Sequence, residues 1–121
     1  MTTEVGRLKR RADFLRLARQ RRKAVTPGML MQAAPTPDAL RDDSQVRVGF
    51  TVSKKVGNAV RRNRAKRRLR ALVAELFPDH VIPGHDIAVI GRFDTVDRSY
   101  SKLRRDMIST MRRTKIWQDM V

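Results

Sequence analysis

The 121-residue sequence predicts an α/β (α+β) sandwich: a small sheet with helices packed on it, in the order helix, strand, strand, long helix, strand, helix. Three observations predict this. Val46, Val48, Phe50 and Val52 alternate with other residues, the period-two pattern of a strand with one buried face. Ala65, Leu69, Leu72, Val73, Leu76 and Phe77 keep helical spacing. A third stretch, residues 86–91, is a short apolar run that reads as a buried strand. The two strands flanking the long helix either pair directly in parallel or lie apart in a mixed sheet, and such a crossover is ordinarily right-handed.

Residues 1–8 read as a flexible arm at the start of a single domain spanning 1–121, and residues 116–121 as a tail. Phe14, Leu15, Leu17 and Ala18 give residues 11–22 an amphipathic helix with Arg16, Arg19, Arg21 and Arg22 on its wet side. Thr26-Pro27-Gly28 breaks it. Residues 29–34 are apolar enough for a strand, although Met, Leu and Ala are poor strand formers. Residues 35–38 and 41–44 read as exposed turns before the strand at 46–53. Asn58 is a natural N-cap for a helix running to about Phe77 and stopped by Pro78. Pro83-Gly84-His85 turns the chain into the strand at 86–91. Tyr100, Leu103, Met107, Ile108 and Met111 then form the inward stripe of a last helix, residues 99–114, capped by Asp97 or Ser99.

Composition narrows the function. A formal net charge of +16 points to a polyanionic partner, while the 40% hydrophobic content in periodic patterns argues for a folded domain. The absence of cysteine excludes a disulfide scaffold and thiolate chemistry and fits an intracellular protein. No apolar run approaches the ~20 residues of a membrane span. The basic N-terminus lacks the apolar core of a secretory signal, and basic character continues along the whole chain, unlike a transit peptide.

No constellation for protein-based catalysis is evident. His80 and His85 sit in a Pro- and Gly-bounded loop without a second ligand pair and read as exposed loop histidines. The few carboxylates form no cluster suited to a two-metal nuclease. Val56-Gly57-Asn58 has no phosphate-loop pattern. Basic residues, by contrast, concentrate in three regions: nine in residues 7–23, nine in 54–70 and seven in 98–115. Between Asp43 and Glu75 there is no acidic residue to pair with them. An ordinary solvated helix face interleaves acids at i+4; this one has none, so it reads as a surface built for nucleic acid. On a helical projection Arg62 falls in line with Leu69 and Leu76 while Arg64 and Arg67 lie on the far side, so cations surround the first turns. Arginines grip phosphates, and Asn63 can bond a base edge or a 2′-hydroxyl. Phe50 is the one aromatic on a candidate sheet face, which excludes the two- or three-aromatic platform of an RNA-recognition motif.

The segment from Val48 to Arg70, with its Ser-Lys-Lys-x-Gly-x-Ala-x-x-Arg-Asn-Arg-x-Lys-Arg pattern, closely resembles the protein subunit family of bacterial ribonuclease P. Weaker similarity runs over nearly the whole chain, including Leu8-Lys9 to Phe14 and Gly84-His85-Asp86-Ile87. The resemblance implies a mixed sheet with a left-handed β-α-β crossover, like the second domain of ribosomal protein S5, against the right-handed default. It implies a cytoplasmic ribonucleoprotein that removes the 5′ leader of precursor tRNA, its RNA subunit hydrolysing the phosphodiester with Mg²⁺ held mainly by that RNA. No catalytic or metal-binding residue is then expected on this chain, and no membrane or protein partner is required. By position, Lys54, Lys55, Asn58, Arg62, Asn63, Arg64, Lys66, Arg67 and Arg70 resemble the family's RNA-subunit-binding surface. Phe14, Val48 and Phe50 resemble its cleft for the single-stranded leader. Two departures stand out: Leu17-Ala18 where relatives often add an aromatic on the first helix, and Met29-Leu30-Met31-Gln32 on the second element. Both imply weaker leader stacking, or a cleft relying on Met and aliphatic contacts.

Overall fold

In the computed structural model, which describes residues 2–119, one mixed sheet is built from β1 (Glu4–Arg7), β2 (Lys23–Val25), β3 (Met29–Pro35), β4 (Gln45–Thr51) and β5 (His85–Gly91). Their spatial order is β1-β4-β5-β3-β2. The helices are α1 (Arg11–Ala18), α2 (Ala59–His80) and α3 (Tyr100–Arg113). The strands flanking α2 pair directly and in parallel, Val48 opposite Ile87 and Phe50 opposite Val89. β3 and β2 complete the sheet in antiparallel fashion.

Alternation along the strands sorts the two faces. Met29, Met31, Ala33, Val46, Val48, Ile87 and Val89 meet Leu69, Leu72, Val73, Leu76 and Phe77 of α2 and Leu103, Met107 and Met111 of α3 in the main core. Fully burying each large apolar side chain contributes about 1.5–3 kcal/mol. The opposite face is covered by α1 and the segment before it, through a smaller cluster of Leu8, Phe14, Leu17, Ala34 and Ala88. Methionines at 29 and 31 serve as core strand residues because a flexible thioether fills the gap under α3; Thr110 and Thr114 even direct their hydroxyls at the two sulfurs.

Several sequence-based boundaries move. The N-terminal arm is instead strand β1 over Glu4–Arg7, paired in parallel with β4 from Glu4 opposite Gln45 to Arg7 opposite Val48. Four residues at a sheet edge are too short to display a pattern, and only the partner strand defines them. Met1 of that arm, and Met120 and Val121 of the tail, lie outside the described residues. The first helix ends at Ala18, and Lys23–Val25 forms a hairpin with β3 around Thr26-Pro27-Gly28. Helix α2 runs through Pro78 to His80, since a proline in the last turn forfeits a single N–H bond. Tyr100 faces outward, 42% exposed, and its hydroxyl donates to Glu75. The tail is anchored: Ile116 is buried, Trp117 bridges to Val81, and its ring stacks on His80 at 4.2 Å.

The histidines are likewise not loop residues. His80 closes α2 and His85 opens β5, half-buried. His85 Nδ1 faces the carbonyls of Ile82 and Pro83, so it carries the proton, while Nε2 faces the Arg22 guanidinium and accepts. Burial foremost, with Arg22 and Arg41 adding repulsion, lowers its pKa from the ordinary 6.5.

One buried charge fastens α1 to the sheet. Asp86 is fully buried on the α1 side, where its carboxylate takes a bidentate pair from Arg47, Nε at 2.8 Å and Nη2 at 2.6 Å. Thr36 donates to it at 2.8 Å, and Arg16 of α1 closes the cluster from above. Burial pushes the Asp86 pKa up, but the bonds from Arg47, Thr36 and Arg16 together outweigh it and hold the carboxyl below its usual range.

Asp86→Asn is expected to cost about 3 kcal/mol, read by urea denaturation, because it strands two partly buried guanidinium groups. Asp86 contributes stability above its unfolded pKa that is lost as pH falls through its lower folded value. His85 acts in a higher window. Its folded pKa lies below 6.5, so the unfolded chain binds the extra proton first and stability drops as pH falls below that point. The melting temperature should therefore fall between about pH 7 and about pH 5, and His85→Gln should flatten that fall; an unchanged slope would remove His85 from it.

Candidate nucleic-acid interface

The basic surface is built on the amino-terminal half of α2. Lys54–Val56 forms one tight helical turn that ends at Gly57. Gly57 has φ 141°, a conformation closed to most side chains, and a Cβ there would meet the Arg61 stem. Asn58 then caps α2, its side chain accepting from the Arg61 N–H at 3.0 Å. The first turn holds no acidic residue, so arginines stand at the positive end of the helix dipole, where anions are favoured and cations are not. Lys54, Lys55 and Asn58 are exposed beside this end.

The basic residues of α2 divide into two rows with different duties. Arg61, Arg64 and Arg68, at i, i+3 and i+7, reach the segment 93–98. Arg61 bonds the Val56 and Phe93 carbonyls and pairs with Asp97. Arg64 gives its Nε to Val96 at 3.0 Å. Arg68 is spent on the carbonyls of Thr95, Val96 and Arg98 at 2.6–2.9 Å. Its burial, with Arg64 nearby, lowers its pKa while leaving it a cation. The full ring of projecting cations expected from the projection is thus partly an internal clamp. The reason is local: loop carbonyls at 93–98 have no sheet partner and need donors. Arg62 gives one nitrogen to the Gly57 carbonyl at 2.8 Å, bracing the turn.

The second row is Asn63, Lys66, Arg67 and Arg70. Asn63, Arg67 and Arg70 are exposed and Lys66 is half-buried. Among the described residues, no carboxylate pairs with any of these cations. Arg64 remains exposed as well, its terminal nitrogens without a protein acceptor among the described residues. Of the nine residues expected on this surface, Lys54, Lys55, Asn58, Asn63, Arg64, Arg67 and Arg70 are exposed, and Arg62 and Lys66 are half-buried.

Phe14, Val48 and Phe50 come together around the end of β4. They line one cavity of about 290 Å³ with Arg7, Leu8, Lys9, Gly49 and Arg70. Phe14 and Phe50 approach it from opposite faces of the sheet: the Phe14 ring lies over Gly49, in space a Cβ would claim, while Phe50 packs on the α2 side. Val48 itself is 2% exposed and serves chiefly as core. Arg70 sits 5.7 Å above the Phe50 ring and joins the cavity to the basic row.

Residues 3–115 match the family model described as Ribonuclease P. The chain belongs to the ribonuclease P protein family. Within that family it is 52% identical over 113 residues to the ribonuclease P protein component of Paramagnetospirillum magneticum, covering 93% of this chain and 85% of that one. It is 43% identical to the counterpart from Gluconacetobacter diazotrophicus, covering 96% and 97%. The solved RNase P protein of Staphylococcus aureus superposes with a TM-score of 0.75 at 26% identity, over 93% of this chain and 97% of that one. The RNase P protein of Thermotoga maritima shares the fold, with a TM-score of 0.71 at 23% identity.

For a ribonuclease P protein the arrangement of carboxylates is informative. Asp86 and Asp106 are already paired, with Arg47 and Arg98, and among the described residues no three His, Asp or Glu side chains gather around a common point. Sequence reasoning missed Arg7, which it placed in the arm, and the internal duty of Arg61 and Arg68. The i, i+3, i+7 spacing of the clamp was visible; the carbonyls it serves were not.

The two rows should separate in a mutational test. Arg68→Ala is expected to destabilise the fold by about 2 kcal/mol, since three loop carbonyls lose a charged donor. Arg67→Ala should change stability by less than about 0.5 kcal/mol. Equal urea midpoints for the two variants would refute the division.

Proposed function

We propose that this chain is the protein subunit of a ribonuclease P holoenzyme, binding the catalytic RNA subunit and the 5′ leader of precursor tRNA during endonucleolytic maturation of the tRNA 5′ end. The observation that carries this reading is the row of unpaired cations and Asn63 at the positive end of α2, set beside an aromatic-flanked cavity. Lys54, Lys55, Asn58, Arg62, Asn63, Arg64, Lys66, Arg67 and Arg70 form the contact to the RNA subunit. The terminal nitrogens of Arg64 and Arg67 offer forked donors to phosphate, and Asn63 offers an amide to a base edge or 2′-hydroxyl. Phe14 and Phe50, with Val48 behind them, receive the leader by stacking and apolar contact.

Bond cleavage belongs to the RNA subunit in this reading. Mg²⁺, held mainly by RNA phosphates, supplies the electrophilic assistance that hydrolysis needs. The protein's part is electrostatic and positional: its cations neutralise phosphates where two RNAs approach, and its cavity fixes the leader strand. The compartment is the cytoplasm, and among the described residues no helix is long and apolar enough to cross a membrane.

The direct test is cleavage of precursor tRNA at near-physiological Mg²⁺ by a bacterial ribonuclease P RNA, with and without the protein. Protein-dependent 5′ maturation that vanishes when the RNA is omitted is the expected result. No stimulation of a folded cognate RNA would instead favour a general RNA-binding or chaperone role. Arg62→Ala or Arg64→Ala should weaken RNA-subunit binding by about 1–3 kcal/mol each. Affinity should also fall steeply with salt through counterion release, and Arg67→Ala should reduce the slope by about one. A salt-independent affinity would contradict the phosphate contacts.

A further inference from the structure

A second opening adjoins the Phe14–Phe50 cavity. It lies between β1 and the carboxy-terminal half of α2, with a volume of about 410 Å³. Val5, Phe50, Val73, Ala74 and Pro78 make its walls apolar, and Arg7 and Arg70 are its charged groups. Parallel pairing of β1 with β4 puts Val5 and Arg7 on the same face as Val46 and Val48, so this slot opens on the α2 side of the sheet. It shares Arg7, Phe50 and Arg70 with the first cavity, making the two a continuous groove. The free row of α2 leads into it as well, because residues 63, 66, 67 and 70 continue at helical spacing to 73, 74 and 78. Among the described residues, Arg7 and Arg70 have no carboxylate partner.

Apolar walls with two unneutralised guanidinium groups match a planar base whose flanking phosphates are anionic. We propose that this slot is a subsite for one further nucleotide of the single-stranded leader, its base between Val5 and Ala74 and its phosphate on Arg7, with Arg70 at the boundary with the RNA-subunit surface. The proposal rests on the reading of the chain as a leader-binding subunit. Continuity with the Phe14–Phe50 cavity favours the leader over the RNA subunit as the source of that nucleotide. The strand enters the groove between Phe14 and Phe50, rounds the end of β4 at Arg70, and places its next base in the slot.

The test fills the slot without touching its charges. Ala74 is exposed on α2 and Val5 is 36% exposed on β1, so Ala74→Trp and Val5→Trp block it from opposite walls of a folded protein. Circular dichroism checks the fold of each. Reconstituted holoenzymes are then compared for binding of precursor tRNAs whose leaders lengthen one nucleotide at a time. The wild type should show a step of roughly tenfold in affinity when the leader becomes long enough to reach the slot. Both variants should lose that step, read as the ratio of long-leader to short-leader affinity. Persistence of the step in both folded variants overturns the proposal, as does its absence from the wild type. A loss in RNA-subunit affinity that ignores leader length would also overturn it, by assigning the slot to the RNA subunit. Failure of the underlying functional reading is distinguishable, because the wild-type protein would then not stimulate cleavage even with the shortest leader.

Discussion

Everything at the basic end of this protein depends on the burial of the other end of α2. Leu69, Leu72, Val73, Leu76 and Phe77 lock that half of the helix against the parallel pair β4 and β5. With each large side chain contributing about 1.5–3 kcal/mol, the helix tolerates an amino-terminal half that helix electrostatics disfavours. Cations crowd the positive end of the dipole without an acid in the first turn. A helix relying on its own propensity would fray there. This one is held from behind by its core contacts, from the front by the Asn58 cap, and from one side by the arginine clamp on segment 93–98.

That clamp changes the meaning of the charge run. Net charge measures the field the molecule projects, but it does not say which side chains are free to meet a phosphate. Arg68 spends its donors on the protein, and Arg61 is tied to carbonyls and Asp97. Arg67 and Arg70 have no carboxylate partner among the described residues. The division follows from helical geometry, since rows at i, i+3 and i+7 face one neighbour while the row beside them faces solvent.

The cavity between Phe14 and Phe50 is a product of two faces of one sheet. Phe14 reaches it from α1, and Phe50 reaches it from the α2 side; neither element makes it alone. The placement of α1 rests on the buried Asp86 and its arginine pair, which explains why an ionised carboxylate is kept in an otherwise apolar strand. A hydrophobic residue at 86 could pack there, but it would not fix the angle of α1 through two directed bonds.

The sequence by itself determined the fold class and the location of the basic surface. Periodicity placed β4, α2, β5 and α3 to within a few residues, because burial on one face imposes a repeat that composition cannot hide. The Asn58 cap and the acid-free run from Ser44 to Ala74 were legible for the same reason: both are local. What only the tertiary structure decided is non-local. Strand β1 exists because β4 offers an edge, and its four residues carry no pattern of their own. Asp86 reads as a strand residue until Arg16 and Arg47, seventy and thirty-nine positions away, converge on it. The split between clamping and free arginines depends on carbonyls in a distant loop. Hydrogen bonds and charge pairs are satisfied by whichever groups the fold brings near, and sequence spacing records only the partners that lie on the same helix or strand.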